Sequence, residues 1–249
     1  MELFWWADYS NFGDSINPYL YANILNTTVR YNQNRNIPHV LGIGSIAMLS
    51  SPESVICGSG VISPNIPINY KPKKVLCVRG PKSKEFLDSL NIECPSVYGD
   101  PTLLLPRIYN PNVEKEHEIG IMPHYVDSQD DWVSKQNCFI IDVRKHPIEV
   151  LNDMLKCKFI ISSGLHGLIV SDAYNIPNSR IRMSDKLVGG DFKFIDYELS
   201  VNKKIQTYDK SYSALQIKNN YQEKKIDIDL DLLHKIILEI KNHEEIFNL

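Results

Sequence analysis

The sequence has no apolar run long enough to span a membrane and no compositional bias toward disorder or collagen-like repeats. Its 249 residues are 43% hydrophobic and carry a formal net charge of only −3, which excludes a bulk polyanion binder. The five cysteines form an odd set at irregular spacing, which excludes a disulfide framework and a paired zinc pattern. They predict reduced thiols in a cytoplasmic protein.

Several common motifs are also absent. The sequence contains no HExxH, P-loop or CxxC spacing, which excludes the zinc protease, NTPase and thioredoxin classes that those motifs define. Gly42-Ile43-Gly44 lacks the third glycine of a dinucleotide fingerprint, so the sequence gives NAD binding little support. The first residues place no basic region ahead of an apolar run, so no signal peptide is expected.

Short apolar runs alternate with helix-like segments, which predicts parallel sheets covered by helices. Prolines and charges between residues 106 and 118 predict an extended linker. We therefore predict an α/β fold of two small Rossmann-like, doubly wound halves with a cleft between them. The predicted domains are residues 1–108 and 115–225, followed by a C-terminal docking helix in 226–249. The predicted strands are 3–7, 40–43, 54–57, 75–78, 96–98, 119–122, 138–143, 159–162 and 180–183.

Proline and capping residues mark the predicted helices. Asn17 followed by Pro18 predicts an N-cap with proline at the first helical position. Further helices are predicted at 81–90, 147–156 and 165–174. The final segment predicts a helix from Asp229 to about His243 that docks through one apolar face, formed by Leu230, Leu233, Ile237 and Ile240.

Ligands of doubly wound sheets bind at the carboxyl ends of the strands, so the loops that follow the strands form the candidate site. Several of these loops hold polar, basic or glycine residues that a turn alone does not require. They are Asn11-Phe12-Gly13-Asp14, Gly42-Ile43-Gly44-Ser45, Arg79-Gly80-Pro81, Pro123-His124-Tyr125 and Ser162-Ser163-Gly164-Leu165-His166-Gly167.

Two of the loops lead directly into a predicted helix, whose N-terminal amides and dipole attract anions. Arg79 stands at one of them and can hold a carboxylate or phosphate in a bidentate fork; a surface ion pair is the alternative. Six basic residues from Lys71 to Lys84, Arg79 among them, can steer an anion, with a solvated surface as the alternative. These features predict a ligand that carries phosphate and carboxylate groups.

Three titratable residues in these loops are candidate acids or bases. His166 lies in the first turn of a predicted helix between small residues, so its ring can face an open cleft. A partly buried structural histidine is the alternative. His124 and Asp14 are equally open to acid–base roles and to turn or capping roles. Asp100, in Gly99-Asp100-Pro101, is predicted to be a turn residue.

Taken together, these motifs resemble the polysaccharide pyruvyl transferase family. The resemblance covers about residues 3–200 and rests on the order and spacing of its pieces. Besides the loops above, the matching pieces are Cys57-Gly58-Ser59-Gly60, Gly99-Asp100-Pro101 and Asp172-Ala173-Tyr174-Asn175-Ile176-Pro177.

The resemblance implies a fold like that of the two-domain GT-B glycosyltransferases and transfer of a pyruvyl group from phosphoenolpyruvate to sugar hydroxyls. The implied product is a ketal in a surface polysaccharide, such as an exopolysaccharide or capsule, or in a cell-wall glycopolymer. By motif position, His166 matches the family's essential histidine and Arg79 matches an arginine that holds phosphoenolpyruvate. Some members carry arginine where this chain has Gly164, so another cation, such as a lysine of the 71–84 cluster, is expected to replace it.

The predicted site therefore has a catalytic and a substrate-binding group. The catalytic group is His166, Asp14 and His124. The substrate-binding group is Arg79, Asn11, Gly13, Gly44, Ser45, Ser162, Ser163, Gly164 and Leu165. No metal and no cofactor are expected, and phosphoenolpyruvate is the donor substrate.

The expected partners are phosphoenolpyruvate and a sugar acceptor, either lipid-linked or nucleotide-linked, with no nucleic acid. A cytoplasmic location is expected, with peripheral contact at the inner face of the membrane if the acceptor is lipid-linked. Two other functions stay open. One is a GT-B-type glycosyltransferase, which a uridine nucleotide rather than phosphoenolpyruvate would stabilise. The other is a non-catalytic glycan- or anion-binding relic, which would bind without turnover.

Overall fold

A computed structural model describes residues 1–8 and 10–243 of the chain. In the first half, five strands form one parallel sheet in the order β2-β1-β3-β4-β5. In the second half, five more form a parallel sheet in the order β10-β9-β8-β6-β7. The strands are β1 Glu2–Phe4, β2 Arg30–Tyr31, β3 His39–Leu41, β4 Ser54–Cys57, β5 Lys74–Cys77, β6 Gly120–Met122, β7 Phe139–Ile140, β8 Ile160–Ser162, β9 Asn178–Arg182 and β10 Thr207–Asp209.

Helices connect the strands in both halves. They are α1 Phe12–Ser15, α2 Asn17–Leu25, α3 Pro81–Ser89, α4 Leu105–Ile108, α5 Asp131–Lys135, α6 Pro147–Leu155, α7 Leu165–Ala173, α8 Phe192–Ser200, α9 Ala214–Asn219 and α10 Leu230–Leu238. Short 3-10 helices span Ala47–Leu49, Pro101–Leu104, Tyr125–Asp127 and Glu239–Asn242. No helix in the described ranges is both long and apolar enough to cross a bilayer.

The two sheets share one strand order. Counted from its own first strand, the second sheet reads 5-4-3-1-2, which is the 2-1-3-4-5 order of the first sheet viewed from the other edge. This is a doubly wound order, and its switch point lies between the first and third strands, where the connections diverge to opposite faces. Switch points therefore lie between β1 and β3 and between β6 and β8. The predicted α/β fold of two halves is confirmed.

The structure corrects the sequence prediction in a few places. The predicted strand at 96–98 is reduced to a single bridge between Val78 and Tyr98. Asn17 is not an N-cap but the first residue of α2, and it is fully buried. Its amide accepts from the Ile43 N–H at 2.8 Å and donates to the Ile43 carbonyl at 3.0 Å. Asn17 therefore fixes the loop after β3 rather than the start of α2.

Helices hold the two halves together. Helices α1 and α4 of the first half pack on α7 of the second, and α8 of the second half packs on α3 of the first. Helix α10 packs on α2 and β5 through a face that buries Leu233 and Ile237, and Ile240 of the 3-10 helix that follows is also buried. The predicted docking segment extends to residue 249. Its last residues, 244–249, lie outside the described residues. The predicted domain boundaries stay a prediction.

Candidate active site

A cavity of about 490 Å³ opens between the two switch points. Loops that follow β1 and β3 line it from the first half, and loops that follow β6 and β8 line it from the second. Its remaining wall is largely apolar and includes Trp6, Met48, Ile62, Val126 and Val188. Ten of the twelve predicted site residues line the cavity: Asn11, Gly13, Asp14, Gly44, Ser45, His124, Ser162, Gly164, Leu165 and His166.

His166 is paired with a buried carboxylate. Its Nε2 lies at an ion-pair distance of 3.5 Å from Oδ2 of Asp100, whose side chain is fully buried, and neither atom has a hydrogen-bond partner among the described residues. The other Asp100 oxygen accepts from the backbone N–H and the hydroxyl of Thr102 at 2.9 and 2.7 Å. Asp100 thus caps a turn, as predicted, and also orients the His166 ring. Burial raises the pKa of Asp100, but the adjacent His166 imidazole and the Thr102 hydrogen bonds outweigh it, so the pKa is lowered.

The opposite side of the imidazole lies against a glycine. An ideal Cβ built on Gly13 would stand 1.9 Å from His166 Nδ1, so only glycine leaves room for the ring. Because Nε2 is buried against Asp100, Nδ1 is the nitrogen that can reach a molecule in the cavity. Gly13 of the first half and His166 of the second therefore form one continuous part of the cavity wall.

Asp14 adds a carboxylate with an altered pKa. Burial raises its pKa above the usual range, while the charges of His166 and Lys193 and the hydrogen bond from Asn11 act in the opposite direction. The Asn11 amide donates to Asp14 Oδ2 at 2.7 Å. A carboxylate whose pKa is raised by desolvation is a better proton acceptor than one in water.

His124 lies on the other side of the cavity and is uncharged at neutral pH. Burial, with the nearby charges of Lys193 and His166, lowers its pKa to about 3. Its backbone N–H donates to Ser163 Oγ at 2.9 Å, and that hydroxyl donates to Asp127 at 2.8 Å. Ser163 therefore links the His124 loop to Asp127 and does not itself line the cavity.

Arg79 also lies outside the cavity lining. It is 1% exposed, and its guanidinium donates to Asp196 of α8 at 3.1 Å, to Ser45 Oγ at 2.7 Å and to the Val61 carbonyl at 2.9 Å. All three bonds are to protein acceptors, so Arg79 fixes Ser45 and α8 in this structure. Direct contact between Arg79 and the donor stays a prediction.

The lysines of the 71–84 cluster do not line the cavity either. Lys82 and Lys84 form surface ion pairs with Glu85 and Asp88, each at 2.7 Å. Lys71, Lys73 and Lys74 line a different groove. The cavity is lined instead by Lys186 and Lys193. The expectation that a lysine of the cluster replaces the arginine absent at Gly164 is therefore wrong, because β5 and α3 carry the cluster away from the site.

Comparison with known proteins identifies the family of the chain. The family model described as "Polysaccharide pyruvyl transferase" matches residues 68–182. The chain is also similar to a protein of Acanthamoeba polyphaga mimivirus named "Uncharacterized protein L143", with 31% identity over 267 residues covering 94% of this chain and 90% of the relative. The chain belongs to the polysaccharide pyruvyl transferase family.

In this pyruvyl transferase family member, sequence reasoning missed two residues of the site. Asp100 was assigned to a turn because its pairing with His166 joins two halves of the chain. Lys193 was missed because no helix was predicted over 192–200. The spacing of Phe194, Tyr197 and Val201, all buried, is the helical signal that could have revealed α8.

Within residues 1–8 and 10–243, no group of three or more His, Cys, Asp or Glu side chains is placed to hold a metal ion. The expectation that this pyruvyl transferase family member needs no metal stays a prediction.

Replacing Gly13 by alanine is expected to lower kcat by roughly 10²-fold, because a displacement of the reacting group by about 1 Å has that cost. The added Cβ would meet three ring atoms of His166 at 1.9 to 2.5 Å, so the imidazole must turn away. Steady-state kinetics checks this. Ser134→Ala is the control, because it shortens an exposed side chain outside the cavity lining; full activity of Gly13→Ala would show that the ring position is not needed.

Proposed function

We propose that this protein transfers the pyruvyl group of phosphoenolpyruvate to two hydroxyls of one sugar, forming a cyclic ketal and releasing phosphate. Family membership supports a sugar acceptor and a transferase reaction. The observation that carries the proposal is the buried Asp100–His166 pair at a cavity wall. The pair can donate a proton, and it lies next to an uncapped helix N-terminus that attracts an anion. Together they suit an anionic substrate that must be protonated.

Protonation of the donor is the first step. The methylene carbon of phosphoenolpyruvate takes a proton from Nδ1 of the His166 imidazolium, and the carbon that carries the phosphate becomes an oxocarbenium-like centre. Asp100 holds Nε2–H on the far side of the ring and stabilises the positive charge before transfer. A positioned acid of this kind contributes on the order of 10²–10⁴-fold.

Attack by the sugar follows. One hydroxyl oxygen bonds to the oxocarbenium carbon and loses its proton to Asp14, whose raised pKa suits it to accept one. The bond from that carbon to the phosphate oxygen then breaks, and phosphate leaves. The second hydroxyl attacks the same carbon and closes the ketal, and its proton passes to the His166 imidazole, which the first step left neutral. The donor methylene ends as a methyl group. His124 is the weaker base of the two because its pKa is lowered to about 3.

The start of α7 is the part of the site that favours an anion. Its N-cap, Gly164, offers no side chain to the first amides of the helix, and Leu165, His166 and Gly167 of the first turn line the cavity. Free amides and the helix dipole attract a carboxylate or phosphate at this position.

Phosphate release tests the proposal. Purified protein is mixed with phosphoenolpyruvate and a panel of hexose glycosides, and inorganic phosphate is measured. Release that requires both the donor and a glycoside supports pyruvyl transfer. Stabilisation by a uridine nucleotide but not by phosphoenolpyruvate, with no phosphate released from any glycoside mixture, contradicts it.

Replacing Asp14 by asparagine is expected to lower kcat by about 10²-fold, since the amide cannot accept the hydroxyl proton. In the wild type, kcat is expected to fall as the pH drops through the raised pKa of Asp14, because the protonated carboxyl is no longer a base. A pH–rate profile checks both statements. An Asp14→Asn variant with wild-type kcat and an unchanged acidic limb would remove Asp14 from the mechanism.

A further inference from the structure

We propose that Lys193 binds the anionic end of the donor and supplies the cation that the loop at Gly164 lacks. This inference rests on the proposed function, because it names the residue that recognises phosphoenolpyruvate in the same cavity. It assigns a binding role to a helix that the sequence motifs do not include.

Lys193 is a lysine of the cavity wall on which the charges of Asp14 and Asp127 act without forming an ion pair. It is the second residue of α8 and lines the cavity together with His124 and His166. No hydrogen bond or ion pair joins its ammonium to any residue in the described ranges, and its recorded contact is the Phe194 ring, whose centroid lies 5.7 Å away. Removing an ammonium from water without a partner costs free energy that a bound anion recovers.

A buried lysine, Lys203, shows what a structural role looks like in this fold. Lys203 is 5% exposed and pairs with Asp172, which also accepts from Asn178 and Tyr197. Lys203 is therefore neutralised inside the protein, whereas Lys193 lines the cavity and forms no ion pair with a described residue. Lys203 has a carboxylate partner and Lys193 does not, which indicates that Lys193 binds a ligand.

The fold fixes the position of Lys193. Three residues further along α8, Asp196 accepts from Arg79, from the Ser83 N–H at 2.9 Å and from the Ser83 hydroxyl at 2.6 Å. Gly80 lies directly against this turn, since a Cβ there would stand 2.0 Å from the Asp196 carbonyl oxygen. Helix α8 is thereby anchored to the first half, and Lys193 is presented to the cavity from a rigid element.

Two positive features therefore meet in one cavity. The uncapped N-terminus of α7 lies on one side, and Lys193 is contributed by α8. Phosphoenolpyruvate carries two anionic groups, a phosphate and a carboxylate, which matches these two features in number and sign. The sugar hydroxyls that react are neutral, so among the reacting groups the phosphate and carboxylate of the donor are the ones that an ammonium can bind.

The charge of Lys193 depends on pH near neutrality. Burial lowers its pKa to about 8; the charges of Arg79 and Arg180 act in the same direction, and those of Asp14 and Asp127 oppose them. His124 and His166 also line the cavity beside it. Because only the protonated form attracts an anion, the dissociation constant of phosphoenolpyruvate is expected to rise as the pH increases through about 8.

Direct binding of phosphoenolpyruvate to full-length protein variants tests the inference, measured by titration calorimetry without an acceptor. We expect Lys193→Gln to weaken binding on the order of 10–100-fold, the usual value of a charge-assisted bond, and to flatten the pH dependence. Lys193→Arg should retain most of the affinity. Lys82→Gln is the matched control, because it removes a lysine that forms a surface ion pair outside the cavity.

A compensating variant sharpens the test. A Cβ on Gly164 would lie in ordinary contact with His124, 3.5 Å from Cδ2, so a side chain fits there. Gly164→Arg in the Lys193→Gln background is expected to restore donor binding at least tenfold. Restoration supports a charge requirement at this place, whereas a variant that had merely lost its fold would not recover.

The outcomes distinguish the role of Lys193 from the proposed use of phosphoenolpyruvate as the donor. Equal affinity of wild type and Lys193→Gln, with unchanged pH dependence, overturns the role of Lys193 and leaves the donor assignment intact. Loss of binding in Lys186→Gln but not in Lys193→Gln overturns it as well, in favour of the exposed cavity lysine. No binding of phosphoenolpyruvate to the wild type overturns the proposed function together with this inference.

Discussion

Replacing His166 by alanine is expected to lower kcat by about 10²–10⁴-fold, because the donor then lacks its proton source. The affinity for phosphoenolpyruvate should change much less, since the α7 amides and Lys193 remain. Steady-state kinetics combined with calorimetric titration of phosphoenolpyruvate separates the two effects. A fall in kcat with nearly constant donor affinity is the expected pattern.

His146→Asn is the matched control for this experiment. His146 is an exposed histidine that caps α6 through its ring, and asparagine keeps a capping acceptor. The control is expected to keep wild-type kcat. Full activity of His166→Ala would mean that the imidazole does not transfer the proton, and the mechanism above would be wrong.

Replacing Asp100 by asparagine is expected to lower kcat by roughly 10²-fold, a cost between that of losing an outer hydrogen-bond partner and that of losing the aspartate of a catalytic triad. The side chain keeps its shape and can keep its acceptor bonds from Thr102. It loses the negative charge that stabilises the imidazolium, and its amide can present a donor to Nε2. The thermal midpoint should therefore change little while kcat falls.

A double-mutant cycle distinguishes this role from a structural one. If Asp100 acts only through His166, the variant that combines Asp100→Asn with His166→Ala should be no slower than His166→Ala alone. If Asp100 merely supports the fold, the two losses should add. Additive losses would contradict the positioning role of Asp100.

The fold could be predicted where the sequence carries a continuous buried run. The strand Ser54–Cys57 has the predicted bounds because all four of its residues are buried, as expected for a parallel sheet. The edge strands β2 and β10 are short and partly exposed, so neither has an apolar run to reveal it. The prediction at Asn17 failed because tertiary bonds to Ile43 took the amide that a cap would have used.

The site could be predicted in part for a topological reason. Loops at the carboxyl ends of β1, β3, β6 and β8 flank the two switch points. The strand order alone brings the residues of these loops to one cavity, so the exact lengths of the helices do not need to be known. Pairs of side chains from distant parts of the chain, which come together only on folding, could not be predicted in this way. Neither the pairing of Asp100 with His166 nor the approach of Lys193 leaves a local pattern, because each joins separate elements.

Arg79 shows how a motif can place a residue without giving its role. Its position ahead of a helix suggested a ligand contact, yet burial at 1% exposure and the bond to Asp196 engage its guanidinium inside the protein. That partner lies on α8, a helix that the sequence did not predict. Knowing α8 was therefore necessary both to understand Arg79 and to find Lys193.

The product formed from labelled donor tests the central claim most directly. Protein is incubated with a hexose glycoside and phosphoenolpyruvate that carries an isotope label at the carbon bonded to the phosphate oxygen, and the mixture is followed by NMR. The account predicts that the labelled carbon becomes a ketal carbon bonded to two sugar oxygens, at the same rate as phosphate appears. Phosphate release with the label recovered as free pyruvate, or sugar transfer from a nucleotide sugar with the labelled donor untouched, would contradict it.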